Sequence, residues 1–386
     1  MSAKQKILYV PSVLQEVGLR QLAGFRRFAG SVGWDVVALE TEDAPAEVVR
    51  DALRRVRPAG CAAVMSQDRK DIPPRFFGKV PVVYIHLPDN CLHWRAHAMS
   101  IDDEAVARMA FHDLAAGLPD AYAFVGDRHD FRWSRVRGRV FRSLVAATGR
   151  RFFEFEVRPG EEAGTFAARL AAFARRLPKK CAVFAATDFE AREFLAACRA
   201  ERRAVPREFA VLGVDNREEL CQSLSPPVSS IDVDWERTGF IAARMLAGVM
   251  ESPDAWPPRR ETCTPLMVVR RASTGGKGRH EPRIAEAVAM IRAEACDGLT
   301  AAALAARFPG SRRLFDMRFR EAVGHSPLDE IIHVRLERAF ALLAMTDTAI
   351  GAIPHFCGFR TYAALDAVFR RRFGIPMSEW RARNSR

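Results

Sequence analysis

Eight apolar, β-prone runs punctuate the first two-thirds of the chain: KILYV (6–10), WDVVAL (34–39), CAAVM (61–65), PVVYI (81–85), AYAFV (121–125), FFEFEV (152–157), CAVFAA (181–186) and FAVLGV (209–214). Between several of them lie helical stretches, such as EAVARMAFHDLAAG, TFAARLAAFARRL and FEAREFLAACRAE. Strands alternating with helical patterns predict βαβ units and parallel sheets. The runs are continuously apolar rather than alternating, so both faces of each sheet are expected to be covered.

Past residue 282 the pattern changes. IAEAVAMIRAEA, AAALAARF, RRLFDMRFREAV and PLDEIIHVRLERAFALLAM read as helices, with almost no β-run among them. In the last of these, Leu328, Ile331, Ile332, Leu336, Ala339, Phe340 and Leu343 fall on one stripe at helical spacing. The two patterns are separated by ASTGGKGRHEP, rich in small residues, Gly and charge. Its GGKG lacks the GxxxxGK[ST] spacing of a phosphate loop and follows no strand directly, so it reads as a linker. The expected division is an α/β part over 1–271, a linker over 272–282 and an all-α part over 283–386.

Composition adds to this picture in three ways. A chain of 386 residues is long for one core. The formal charge of +12 suggests a polyanionic partner, although a basic surface is often only solvated. The all-α part carries 16 Arg against 11 Asp and Glu, a balance of +5. The N-terminal apolar run is too short for a secretion signal and no 18-residue apolar run occurs, so the chain is expected to be cytoplasmic, with no membrane partner. Its 8 cysteines include no CxxC pair and fit reduced, mostly buried thiols.

One phrase is written twice: FREAVGHSP at 319–327 and FRRRFGIPM at 369–377. Each ends a longer unit, AAALAARFPG-SRRLFDMRF and TAIGAIPHFCGF-RTYAALDAVF, consisting of a short helix, a tight turn and a second helix. That is helix-turn-helix grammar, in which the second helix enters the DNA major groove. The exposed start of the second helix in the first unit is expected to be Ser311, Arg312 and Arg313, followed by Asp316. Arg grips guanine bidentately and Asp accepts from cytosine. Phe315 and Phe319 fall on the opposite, core-facing side. In the second unit the matching positions are Arg360, Thr361, Tyr362, Ala363 and Asp366, a poorer set for reading bases. Arg370, Arg371 and Arg372 suit phosphates, which position without specifying.

Open parallel sheets hold ligands beyond the carboxyl ends of their strands. Ser12, His86, Asp102, Asp127, Asp188 and Asp215 sit at such ends. A sugar would suit a cleft of this kind, with carboxylates accepting hydroxyl hydrogens, Arg donating and an aromatic covering the C–H face. Helix capping is the competing role for the acids. Thr187 with Glu190, and Asp215 with Glu218, both fit a capping box.

Residues 283–386 resemble the DNA-binding domain of AraC-family transcription regulators. SRR-LFDMRFREAVGHSP, RLERAFALLAMTD, IPHFCGF and FRRRFGIPMSEWR carry the likeness. The front half, through LGVDNREELCQSLSPPVSSIDVDWERTGFIAARML, RWSRVRGRVF and TPLMVVRRAST, resembles the xylose-operon activators of that family. The resemblance implies a two-lobed sensor of the periplasmic-binding-protein type I (lactose-repressor-like) fold joined to a double helix-turn-helix reader. It also implies a sugar effector, a homodimer on double-stranded DNA, contact with RNA polymerase in an activator, and neither cofactor nor catalysis. It places Trp133, Ser134, Arg137 and Asp215 at the effector, with Phe141 also matching the motif. Val140 stands where the family has Gly, and Leu19 where it has Arg. Pro354 falls where the family has a small helical residue, and an interior proline costs about 3 kcal/mol. Met377 replaces the usual Pro, and Pro309-Gly310 shifts the turn glycine by one. Two other readings stay open at this point. One is constitutive DNA binding; the other is an enzyme, although no GxGxxG, GxSxG, P-loop or HExxH occurs.

Overall fold

The computed structural model describes residues 4–12, 16–67, 69–251, 258–275, 282–323, 326–345, 348–373 and 376–384. The first lobe is a sheet of β1 (Lys6–Val10), β2 (Asp35–Ala38), β3 (Gly60–Val64), β4 (Val82–Ile85), β5 (His97–Ile101) and, much later in the chain, β11 (Arg260–Cys263). The second is built from β6 (Ala121–Val125), β7 (Arg151–Phe155), β8 (Cys181–Ala185), β9 (Phe209–Val214), β10 (Ser229–Asp232) and β12 (Met267–Val269). Their orders are β11-β5-β4-β3-β1-β2 and β12-β10-β9-β8-β6-β7. All the pairings are parallel except β10 with β12.

All eight expected strands form. β3, β6 and β8 are buried along their whole length, as two-sided cover requires, whereas the edge strands β2 and β7 are not. The covering helices are α1 (Glu16–Ser31), α2 (Ala46–Val56), α3 (Asp103–Ala115), α4 (Arg132–Ala146), α5 (Ala163–Arg176), α6 (Asp188–Ala200), α7 (Glu218–Ser223) and α8 (Trp235–Glu251). α1 and α8 cross backbone to backbone at Gly24 and Gly239. A Cβ on either would overlap a carbonyl of the facing helix, Glu236 or Gln21 respectively.

The chain passes between lobes three times: from β5 to α3, from β10 to α8 and from β11 to β12. These crossovers are tied to one another. Asp102 N–H donates to Cys263 O at 2.8 Å, and Leu266 N–H to Asp232 O at 2.7 Å. Ala272–Thr274, expected in the linker, instead form a turn of 3-10 helix locked into the second lobe. The buried Ser273 hydroxyl donates to Val211 O at 2.6 Å and accepts from Ser229 N–H at 2.8 Å.

The helical part comprises α9 (Pro282–Glu294), α10 (Ala301–Ala306), α11 (Arg312–Val323), α12 (Pro327–Met345), α13 (Ile353–Phe356), α14 (Tyr362–Phe373) and α15 (Met377–Asn384). The stripe on α12 serves two cores. Ile331 joins Phe315, Phe319, Leu304 and Ile291, while Leu336, Ala339 and Leu343 join Leu365, Phe369 and Met377. Leu328, expected on the stripe, is exposed, and the Phe340 side chain lies outside the described residues. The first core is continuous with the sensor edge, because Leu266, Met267 and Val269 belong to it.

The free cysteines are buried except Cys296, which is half-buried. No described helix is long and apolar enough to cross a membrane.

Candidate functional sites: an interlobe cleft and a paired helix-turn-helix surface

A cleft of about 590 Å³ opens between the lobes at the carboxyl ends of the strands. His86, Asp102, Trp133, Arg137 and Asp215 line it, as do Thr187 and Trp235.

Arg137 is buried on α4. Its Nε donates to Asp103 Oδ1 at 2.9 Å and its Nη1 to Ala186 O at 2.6 Å. Trp133 lies one turn earlier on the same face, so the guanidinium stacks 4.6 Å over its ring. Burial raises the Asp103 carboxyl, and Arg137 opposes it. His86 follows β4 with φ +60°. It sits edge-on to Trp235 at 5.4 Å, and its Nε2 is 3.3 Å from the Gln21 amide nitrogen, which donates to it. Gln21 in turn accepts from the Tyr9 hydroxyl at 3.2 Å. Burial, with the Arg137 charge second, lowers His86 to about 4, so its ring is neutral at physiological pH. Asp215 follows β9 with φ +100°. Burial raises its carboxyl, and Arg137 and Arg217 pull it back.

Two residues expected at the effector are placed elsewhere. Asp188 is fully buried behind the cleft wall, with one oxygen accepting from Ser230 Oγ at 2.5 Å and the other from Arg217 N–H at 2.8 Å. Burial, and secondarily the Asp215 charge, raises it to about 7. The neighbouring Thr187 caps α6, accepting from Phe189 N–H at 3.1 Å and donating to Glu190 at 2.5 Å. Ser134 is buried as well, its hydroxyl accepting from Asp127 N–H at 2.8 Å. Both residues therefore hold loops in place instead of facing the cleft. Ser12 and Asp127 do not line it either, and Phe141 is core. Asp102 lines the cleft and also caps α3, accepting from Ala105 N–H at 2.8 Å. The capping box suggested for Asp215 does not form, because Arg217 occupies the N-cap of α7. Leu19 is exposed, but the next residue, Arg20, reaches both oxygens of Asp232 at 2.9 and 3.0 Å. Trp235 escaped the sequence reading because a single aromatic at the first residue of α8 carries no periodic signal.

In the reader, α11 presents Ser311, Arg312 and Arg313 to solvent, and its exposed face also carries Met317 and Arg320. The Ser311 hydroxyl accepts from Leu314 N–H at 3.3 Å, and Asp316 lies 3.8 Å from Arg312. At the second unit Arg360, Thr361, Tyr362, Ala363, Arg370 and Arg371 are exposed. The side chain of Arg372 lies outside the described residues. Asp366 is buried and unavailable to bases. It accepts from Arg370 Nε at 2.8 Å and from Met377 N–H at 2.9 Å.

The departures in this unit are accommodated. Pro354 sits in the first turn of α13, where an N–H has no intrahelical acceptor, so the interior-proline cost does not arise. Met377 keeps the N–H that a proline would lack, and its side chain is fully buried in the second core. Gly310 takes φ +110° at the shifted turn. Arg335 on α12, which the sequence did not flag, ties the units together. It donates to Ala295 O and Leu299 O, each at 2.8 Å, and lies 5.5 Å over the Phe359 ring.

A hinged two-lobe cleft followed by two helix-turn-helix units defines a ligand-sensing transcription regulator. Residues 115–274 match the periplasmic-binding-protein-like domain family, and residues 304–383 a helix-turn-helix domain family. The xylose operon regulatory protein of Escherichia coli is 28% identical over 363 residues, covering 91% of this chain and 90% of its own. A solved structure titled as a xylose-binding transcription activator superposes with TM-score 0.58 at 24% identity, covering 99% of this chain and 98% of that one. A transcriptional regulator solved in complex with cellobiose matches with TM-score 0.57 at 21% identity, covering 71% of this chain and 86% of that one. The chain thus carries a periplasmic-binding-protein-like domain followed by a helix-turn-helix domain, and over nine-tenths of its length it is similar to the xylose operon regulatory protein.

Proposed function

We propose that the cleft binds a small sugar and that its closure gates how the helix-turn-helix units engage DNA. The observation that carries this is the cleft itself. Two tryptophans, a buried arginine, a neutral histidine and the Asp215 carboxylate converge on one cavity between hinged lobes. Tryptophan faces cover C–H groups of a sugar ring, and carboxylate and imidazole satisfy its hydroxyls. His86, Trp133, Arg137, Asp215 and Trp235 contact the effector, while Ser134 and Asp188 hold the loops that carry them. Ser311, Arg312 and Arg313 read bases; Arg360, Thr361 and Tyr362 contact the adjacent groove; Arg370, Arg371 and Arg372 grip phosphates. On this reading the protein acts in the cytoplasm as a homodimeric activator that contacts RNA polymerase; the activator role is supported by the similar solved structure titled a transcription activator.

The test is thermal unfolding of the full chain against a panel of pentoses, hexoses and their acids. Binding at a hundredfold excess over Kd stabilises by about 2.7 kcal/mol. One sugar should raise the transition, and Arg137→Ala or Asp215→Ala should abolish the rise. No rise with any sugar overturns the sugar assignment and favours constitutive DNA binding.

A further inference from the structure

The reader does not hang free from the sensor. Ile284, Ala287, Val288 and Ile291 of α9 share one buried cluster with Leu266, Met267 and Val269 at the β12 edge, and α11 packs against β12 itself. Such contact is non-directional and fixes no orientation by itself. A cavity of about 270 Å³ lies beside it, bounded by α1, α8, α9 and α12.

Among the described residues, a charge-assisted contact also crosses the seam. Arg292 on α9 donates to Asp234 Oδ2. Asp234 is only 2% exposed and lies in the crossover between β10 and α8, with φ +54°. It is built into that crossover: its other oxygen accepts from Arg237 N–H at 3.1 Å, and its carbonyl accepts from Thr238 N–H at 3.1 Å. Charge-assisted hydrogen bonds carry geometric preference. A buried carboxylate deprived of its cation is strongly unfavourable.

The same crossover reaches the effector cleft by two routes. Trp235, the next residue, lines the cleft and meets His86 of the first lobe. Asp232, two residues earlier, accepts from Asp234 N–H at 3.0 Å and from Asn216 Nδ2 at 3.3 Å, and Asn216 follows the cleft residue Asp215. Within four residues the chain therefore touches the cleft, the hinge and the reader.

We propose that Arg292 is the positioning residue through which the state of the cleft reaches DNA. Paired with Asp234, it fixes the first helix-turn-helix unit to the orientation of the β10–α8 crossover, so that lobe closure re-aims α11. This rests on the reading of the cleft as an effector site.

The experiment uses the full chain and a DNA fragment that wild type selects from a random library. Kd is measured with and without the sugar that stabilises wild type. Wild type is expected to show a Kd ratio within roughly 5–150-fold, the usual span of allosteric coupling. In Arg292→Met the ratio falls to within about twofold of unity while the thermal rise with sugar persists. Arg292→Lys, which keeps the charge, retains part of the ratio. The neutral pair Asp234→Asn/Arg292→Gln removes both charges without stranding either, and should behave like Arg292→Met. A wild-type ratio preserved in Arg292→Met or in the neutral pair overturns the proposal.

Amide exchange gives an arm that does not depend on the effector. Exchange across α9 should be roughly tenfold faster in Arg292→Met and in Asp234→Asn, with β8 and β9 unchanged. Unchanged α9 exchange in both variants overturns the proposal even if no sugar acts on wild type, an outcome that separately sinks the cleft reading.

Discussion

The two helix-turn-helix units share a phrase and a geometry but differ in what they offer. The first exposes Arg312, Arg313, Met317 and Arg320 along α11, and its core merges with the sensor edge through Met267 and Val269. The second exposes Ala363, Ala364 and Ala367, buries Asp366, and keeps a core of its own under the far half of α12. The unit richest in base-reading chemistry is therefore the one joined to the sensor. Duplication of a fold leaves its copies free to separate two tasks, sequence reading in one and backbone grip in the other.

The comparison is broken most severely at the seam between the units. Gly358 has φ +71°, and a Cβ there would lie 2.8 Å from Ala295 O and 2.9 Å from Cys296 O of the first unit. Gly358→Ala combines left-handed strain of about 1–2 kcal/mol with overpacking of about 1–3 kcal/mol. A urea melt followed in the reader should lose about 2–5 kcal/mol. Wild-type stability in this variant would mean that the units are not in register as described.

Arginine substitutions sharpen the division of tasks. Arg313→Ala should cost about 1–3 kcal/mol in DNA affinity and relax preference at one base pair. Arg371→Ala should weaken all sequences alike and lower the slope of log K against log salt by about 1. Competition binding against a selected and a scrambled fragment at several salt concentrations separates the two. Equal loss of sequence preference in both variants would erase the distinction between the units.

The smallest effect tests an expectation that the structure reverses. Pro354→Ala should lower the unfolding free energy by about 1 kcal/mol or less, because Pro354 stands unstrained in the first turn of α13. A gain near 3 kcal/mol would restore the interior-proline reading.

What the sequence revealed follows from the range of each signal. The eight strands were legible because continuous apolar runs report burial on both faces. β10, β11 and β12 were not, since SSID, RETC and MVV are short and two of them are largely polar. Their pairing is decided by distant residues such as Ser273 and Leu212. In the cleft, His86 and Asp215 could be named from strand ends, and Trp133 and Arg137 from the resemblance to a family motif. Asp188 could not be sorted from them, because a strand-end carboxylate reads the same whether it faces a ligand or, as here, Ser230 and a backbone N–H. Trp235 and Arg292 stayed hidden for a related reason. Their roles come from a crossover that brings residues 215, 232 and 292 together, and no local period encodes that.

The late strands also constrain synthesis. β11 closes the first lobe with residues 260–263, some 160 positions after its partner β5, and β12 completes the second lobe immediately afterwards. Neither sheet has its full complement of strands while the chain is being made, so both wait with an open edge until the ribosome has passed residue 269. The reader follows at once, and its first core needs the freshly placed β12. A message broken anywhere before that point yields a fragment without DNA-binding helices, so an unfinished copy cannot occupy an operator in place of the finished one.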